Sequence, residues 1–225
     1  MQKNKKLIIV GTSAFAEVAY EYFQHDSEYE VVAFSVEENY LNSTEKFGLP
    51  VIAMEKLTQH YNPKNFFFFA AVVYKQMNRI RTKLYHLMKE KGYQPASYIS
   101  SRAFVWKNVT LGEHCFIFED NTVQPFVQIA NNVILWSGNH IGHHSKIDDN
   151  CFISSQVVIS GYCHIKQNCF FGVNSTVADQ VTVEEDCFLG SGAIVTKNTL
   201  IGQVISPSQT EASKVSSLRL FKVKQ

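Results

Sequence analysis

The sequence predicts two parts of different class: a small parallel α/β sheet over residues 1–95, then a parallel β-helix of six-residue repeats over 96–203. A polar, then basic, tail follows at 204–225. Three observations predict this. Bulky apolar residues recur every six positions from Ile99 to Ile201. Residues 1–95 lack that period and instead alternate apolar runs with helical spacing. All five cysteines fall on one small position of the repeat.

In the first part, "KLIIVG" is a short apolar run ending in Gly11, and "TSAFAEVAYEYF" has helical spacing at Phe15, Val18, Ala19, Tyr22 and Phe23. "YEVVAFSV", "LPVIA" and "FFFFAAVV" read as further strands, the last as core. "MNRIRTKLYHLMKEKG" reads as an amphipathic helix ended by Gly92. Strands alternating with helices predict a parallel sheet, whose ligands sit where strand ends meet helix N-termini able to receive a phosphate. The turn "GTSAFA" keeps only the first glycine of a GxGxxG pattern, and Ala14 and Ala16 keep it small. That suits a mononucleotide diphosphate better than a dinucleotide; a strand–helix turn with no ligand is the alternative. His25, His60 and His86 read as surface residues. Arg79 and Arg81 either reach a phosphate or are salt-bridged on the surface, the commoner case.

In the second part the six-step ladder runs through Val105, Leu111, Ile117, Val123, Ile129 and onward to Phe171, Val177, Val183, Leu189 and Val195, apolar without exception. Four residues after most rungs stands a small or β-branched residue. A period of six fits neither a helix nor a long flat strand. It fits a coil of three short faces, eighteen residues per turn, with the large residue pointing into the prism and the small one near a corner. About six coils at the usual strand spacing make a prism roughly 29 Å long. Cys115, Cys151, Cys163, Cys169 and Cys187 occupy the small inward position, so they read as buried thiols, with no CxxC pair to indicate zinc.

A formal net charge of +1 with 18% charged residues gives neither nucleic acid nor an anionic membrane anything to attract. The start, "MQKNKKLIIVG", has too short an apolar run for a signal peptide, and no 18-residue apolar run occurs. A cytoplasmic location with reduced cysteines is expected. "NHIGHH" places His140 at the end of one hexad and His143 and His144 third and fourth in the next. A metal shared between coils would need histidine eighteen residues away, where Pro125 and Gly161 stand. No metal is expected.

The pairing of "IIVGTSAFAE" with "HIGHHSKID", "VVISGYCHI", "NCFFGVNSTV" and "DCFLGSGAIV" resembles the bacterial nucleotide-sugar acetyltransferases. These are the sialic-acid O-acetyltransferase-like proteins and the enzymes acetylating bacillosamine, perosamine or viosamine precursors. The resemblance covers about residues 5–202. The hexads alone specify only the β-helix, which serine acetyltransferases and carbonic anhydrases share. The resemblance implies a Rossmann-like first domain, a left-handed β-helix, and a homotrimer with acetyl-CoA in the groove between neighbouring prisms. It implies His143 as general base. Relatives often carry a glutamate next, where this chain has His144, so a carboxylate such as Glu119 or Asp120 is a candidate orienting partner. Gly161, one coil on, would bring its backbone to the thioester, and acetyl-CoA would pass Phe152, Val173 and Ser191. Gly11, Ser13, Ala14 and Phe15 would meet the nucleotide-sugar phosphates, with Phe15 where some relatives have histidine. Ser35, Val36 and Glu37 would lie near the base or ribose, and His140 would touch substrate or the trimer interface.

The activity implied is acetyl-CoA-dependent N-acetylation of a dTDP-, UDP- or GDP-linked 4-amino-4,6-dideoxyhexose for surface polysaccharide such as O-antigen. Sugar O-acetylation, or a trimer that binds nucleotide sugars without turnover, are the alternatives. The residue types suit the chemistry. A sugar amine arrives as ammonium and must lose a proton, which a histidine of ordinary pKa, about 6.5, can accept near neutrality. The thioester is already activated, so no covalent enzyme intermediate is needed. A backbone N–H can meet the oxyanion, and holding amine and thioester together supplies much of the acceleration.

Overall fold

The computed structural model describes residues 2–208 and 211–223; residue 1 and, within the expected tail, 209–210 and 224–225 lie outside them. The first part contains β1 (Lys5–Val10), α1 (Ala14–His25), β2 (Tyr29–Val36), β3 (Glu45–Lys46), β4 (Leu49–Ala53), α2 (Leu57–His60), β5 (Phe66–Ala70), α3 (Arg79–Glu90) and β6 (Gln94–Pro95). The sheet order is β3-β4-β2-β1-β5-β6, parallel except for β3 against β4. The four strands and two long helices read from the sequence are β1, β2, β4, β5, α1 and α3. The pieces not anticipated are β3 and β6, two-residue strands, and α2, a four-residue helix, all too short to show a period. Central β1 is apolar on both sides because both are covered: Leu7 and Ile9 pack with α1, Ile8 and Val10 with α2 and α3.

From Tyr98–Ile99 onward the chain is a left-handed parallel β-helix. Two-residue rungs pair with rungs eighteen residues away, as Phe116–Ile117 does with Ile134–Leu135. The rungs form three sheets of seven, six and five strands. The inward ladder makes one core with all five cysteines, none disulfide-bonded. Burial pushes the Cys115 thiol up to about 12, which suits a packing residue rather than a nucleophile. Every sixth residue from His114 to Gly192 turns a corner with φ between 55° and 76°. That left-handed conformation costs most side chains about 1 kcal/mol or more and is easiest for asparagine and glycine. Asn132, Asn150, Asn168 and Asn174 follow that preference; His144, with φ 59°, occupies such a corner too.

One rung departs from the expected ladder. Ile201 is 66% exposed, and Phe188–Leu189 pairs instead with Val204–Ile205, sixteen residues on. The last turn is thus two residues short, and among the described residues no further rung pairs beyond it. Thr199 turns inward there, its hydroxyl 3.2 Å from the Cys187 sulfur. The prism therefore extends two residues into the segment expected to be tail. Beyond it, Ser217–Leu220 form a short helix with exposed side chains.

The outward side of one prism face is aromatic. Tyr98, Phe116, Ile134, Phe152 and Phe170 stand one coil apart and pack into one cluster with Phe15, Phe23 and the sheet of the first domain. The two halves thus share a core, with α1 between sheet and prism. At its edge Arg81 of α3 is fully buried. Its guanidinium donates to Asn132 Oδ1 at 3.0 Å and to the carbonyls of Asn132, Asn150 and Cys151 at 3.2, 2.9 and 3.3 Å. This corrects the reading of Arg81 as a phosphate ligand or a surface ion pair. Burial lowers its pKa to about 9, so it remains a cation at neutrality, satisfied by carbonyl dipoles. Arg79 does form the surface ion pair, with Asp186.

Candidate functional site

His143, Gly161 and Asp179 stack at one corner of the prism, each one coil beyond the last. The turn after rung His140–Ile141 carries His143 outward and leaves its side chain exposed. Its N–H donates to Gln124 Oε1 at 2.9 Å, and its carbonyl accepts the Tyr162 N–H at 2.9 Å, which fixes the backbone. Gly161 lies under the imidazole. A Cβ there would stand 2.9 Å from His143 Cε1, 3.1 Å from Nε2 and 3.0 Å from Asp179 Oδ1. Gly161 is buried, yet among the described residues its N–H meets no acceptor, while its carbonyl accepts from the Gln180 N–H at 2.9 Å. Among the described residues the N–H groups of Ser155, Val173 and Ser191, at the same place in their hexads, likewise meet no acceptor, so this turn position leaves a donor available.

His144 holds the next position by stacking. Its ring lies between Phe126 and Tyr162, with centroids 4.6 and 4.7 Å away and interplanar angles of 26° and 13°. Its Nδ1 is 3.1 Å from Nδ1 of His143. With a proton on one of these nitrogens, the pair forms one hydrogen bond; a proton on Nδ1 of His143 would leave the Nε2 lone pair facing the space over Gly161. Neither expected carboxylate takes this part. Glu119 accepts from Tyr22 Oη and Ser137 Oγ, each at 2.7 Å, and Asp120 pairs with Arg102. Both lie on other corners, because their spacing from His143 is not a multiple of eighteen. Asp179 is at that spacing, two coils on, a 36-residue separation that carries no sequence signal of its own.

Of the residues expected along acetyl-CoA, Val173 and Ser191 share the next corner, one coil apart, and both are exposed. Phe152 does not join them. It is 2% exposed, packed on Tyr74 and Phe170 at 5.2 and 5.7 Å, with the Arg81 guanidinium over its ring. It is a domain-interface residue. The repeated "CF" at 115–116, 151–152, 169–170 and 187–188 could have shown this, since the outward phenylalanines fall on one face. His140, half-buried on its rung, pairs in register with Thr122 and Val158.

In the first domain a pocket of about 490 Å³ opens at the strand ends, lined in part by Gly11, Thr12, Ser13, Glu37, Lys75 and Lys83. Gly11 has φ 120°, and a Cβ there would meet the Ala71 carbonyl at 2.9 Å, so the turn requires glycine. Ser13 precedes α1 and makes no side-chain cap, leaving hydroxyl and helix N-terminus open. Val36 also lines the pocket, and Glu37 pairs with Lys83 at 2.7 Å. Ala14 is exposed at the first turn of α1. Two expected contacts lie elsewhere. Phe15 is 3% exposed, its ring among Phe69, Phe116 and Trp136. Ser35 is fully buried and donates to the Ile52 carbonyl at 3.0 Å. Phe15 lies on the buried face of α1, and strand alternation turns Ser35 of β2 into the core.

His114 is buried at the domain interface, where Nε2 accepts the Ala70 N–H at 2.8 Å and Nδ1 lies 2.9 Å from Asn132 Oδ1. Burial pushes its pKa down to about 3, so it is a neutral structural imidazole. His164 pairs with Asp148 at 3.0 Å. Among the described residues no three His, Cys, Asp or Glu side chains converge as a metal ion requires. No helix among them is long and apolar enough to cross a membrane.

Residues 93–205, half of the chain, match the family described as the GMPPB C-terminal domain. No curated protein matches the chain. Among solved structures, the acetyltransferase domain of PglB from Neisseria gonorrhoeae FA1090 is similar with a TM-score of 0.80 and 23% identity, over 91% of this chain and 100% of that one. A histidine mutant of perosamine N-acetyltransferase from Caulobacter crescentus, in complex with CoA and GDP-perosamine, follows at 0.79 and 19% identity, over 90% and 97%. WeeI from Acinetobacter baumannii AYE is similar at 0.68 and 18% identity, over 89% and 96%. At these identities the likeness is one of fold, and it spans both domains.

Proposed function

The chain belongs, through residues 93–205, to the GMPPB C-terminal domain family, and we propose that it is an acetyl-CoA-dependent N-acetyltransferase of a nucleotide-linked amino sugar. The observation that carries this reading is the exposed imidazole of His143 over Gly161, whose N–H has no partner among the described residues. That pair supplies a proton acceptor and an oxyanion donor within one small space. The fold shared with the PglB acetyltransferase domain and perosamine N-acetyltransferase supports the choice of reaction.

In this reading His143 Nε2 takes a proton from the acceptor's ammonium, and the freed amine attacks the thioester carbonyl directly. The C–S bond of the tetrahedral intermediate then breaks. Of the three N–H protons one stays on the amide; of the other two, one ends on the thiol of CoA and one in solvent. The Gly161 N–H meets the oxyanion, and His144 holds His143 at Nδ1. Acetyl-CoA runs past Val173 and Ser191. The nucleotide diphosphate sits at Gly11, Thr12 and Ser13, where a helix N-terminus faces it, with Lys75 and Lys83 lining the same pocket.

The active site lies between prisms of a homotrimer, a role that suits the exposed Phe126 and Tyr162 beside His144. The acceptor is a dTDP-, UDP- or GDP-linked 4-amino-4,6-dideoxyhexose made in the cytoplasm for surface polysaccharide. The test is a panel of such amino sugars with acetyl-CoA, following free thiol and product mass. One acceptor gaining an acetyl group on nitrogen supports the reading; binding without thiol release, or transfer only to a hydroxyl, overturns it.

A further inference from the structure

Two coils past His143, the same corner carries Asp179, a carboxylate with no structural task. It is exposed, and its recorded side-chain contact is with its neighbour, Gln180 Nε2 to Oδ2 at 3.2 Å. Among the described residues no lysine, arginine or histidine lies within 4 Å of it as an ion pair. Its Oδ1 is directed at the space above Gly161, 3.0 Å from the point a Cβ would occupy, and His143 Nε2 is 3.1 Å from that same point. That point is a bond length from Gly161 Cα and cannot itself hold a ligand atom, but it sets Oδ1 and Nε2 at most about 6 Å apart without an ion pair between them, a gap beside Gly161 that one small polar group can span. One wall of the gap is an anion and the other a proton acceptor. Gly161 lies between them.

We propose that Asp179 is a specificity-determining residue which receives the acceptor as its ammonium and holds the nitrogen against Nε2 of His143. This deepens the acyl-transfer reading above and rests on it. A cation in that gap gains a charge-assisted hydrogen bond from Oδ1 on one side and aims another N–H at the imidazole on the other. A neutral hydroxyl in the same place gains much less from the carboxylate, so the corner selects amine over alcohol by charge rather than by shape. Asp179 also favours the imidazolium that forms when His143 takes the proton, which helps the transfer without a direct contact.

The test compares wild type with Asp179→Asn and Asp179→Glu, using the best amino acceptor of the panel and the same nucleotide sugar bearing a hydroxyl in place of the amine. Asparagine keeps the volume at an exposed site and removes the charge, so the fold is retained. In Asp179→Asn the amine's KM rises by about 10–100-fold, the worth of a hydrogen bond to a charged group. Competitive inhibition by the hydroxyl compound and the KM for acetyl-CoA stay within about 2-fold of wild type, and Asp179→Glu recovers part of the loss. An unchanged amine KM, or equal weakening of amine and hydroxyl ligands, overturns the proposal while wild-type turnover leaves the acyl-transfer reading intact. Absence of thiol release by wild type with every amino acceptor overturns both.

Discussion

Nη2 of Arg81 lies 2.9 Å from the main-chain carbonyl of Asn150, joining a helix of the first domain to a corner of the prism. The same corner residues, Asn132, Asn150 and Asn168, bond to one another along the prism through their side chains at 2.8 and 3.3 Å. Asn78 grips the end of that row through the Asn168 and Cys169 carbonyls. The orientation of the first-domain pocket relative to the prism is therefore set by buried polar contacts as well as by the aromatic face.

Replacing Arg81 by methionine keeps most of the volume but leaves several buried carbonyls without a donor. We expect a loss of at least about 3 kcal/mol. For a chain of this length that is an apparent Tm lower by roughly 6–12 °C, read by thermal unfolding. Arg79→Met, which removes a surface pair, shifts it by about 2 °C or less.

His114 makes stability depend on pH. Its pKa is about 3 in the folded chain against an ordinary value of 6.5, so the unfolded chain binds a proton that the folded chain refuses. The stability is fully present above pH 6.5 and falls by about 1 kcal/mol per unit as pH drops toward 3. Melting curves between pH 7.5 and 5 read this slope. His114→Gln, which can still accept from Ala70 and donate to Asn132, flattens it.

Gly161→Ala probes the crowded corner. Its φ is outside the left-handed region, so alanine fits the backbone, but the new Cβ presses on His143 and Asp179. A displacement near 1 Å lowers kcat/KM for thiol release by about 100-fold. Tm stays within about 2 °C, because both displaced side chains are exposed.

His144→Phe keeps the stack with Phe126 and Tyr162 and removes the nitrogen beside His143. Steady-state kinetics should show kcat about 10-fold lower with KM little changed, the mark of a positioning loss. His144→Glu returns an acceptor to that place and recovers most of the rate.

Much of this architecture was legible because each coil repeats a strong physical constraint. An inward aliphatic every six residues leaves few other folds, and the strands and long helices of the first domain follow from apolar runs and the 3.6-residue period. What escaped has equally specific causes. Phe152 sits on a rung like its neighbours, and the hexad does not say which outward face another domain covers; only the stripe of phenylalanines does. Arg81 reads as a surface cation because buried arginine is rare, and its partners are backbone carbonyls that carry no sequence signature. Ile201 continues the period in sequence where the last turn is shortened to sixteen residues and leaves it exposed. His144 looks chemical as a histidine, yet its place is set by a left-handed corner and by the stacking of rings one coil away. Asp179 lies 36 residues from His143, a distance that means a shared corner only once the coil length is known.

The central claim is that His143, held over Gly161, takes the proton that frees the acceptor for attack. The most direct measurement is thiol release and acetylated product from His143→Ala beside wild type, with acetyl-CoA and the best amino acceptor, both proteins shown to be folded. In His143→Ala kcat is expected to fall by at least about 100-fold, the usual scale for a lost general base, with acetyl-CoA still bound. Turnover by His143→Ala within a few-fold of wild type would contradict the claim.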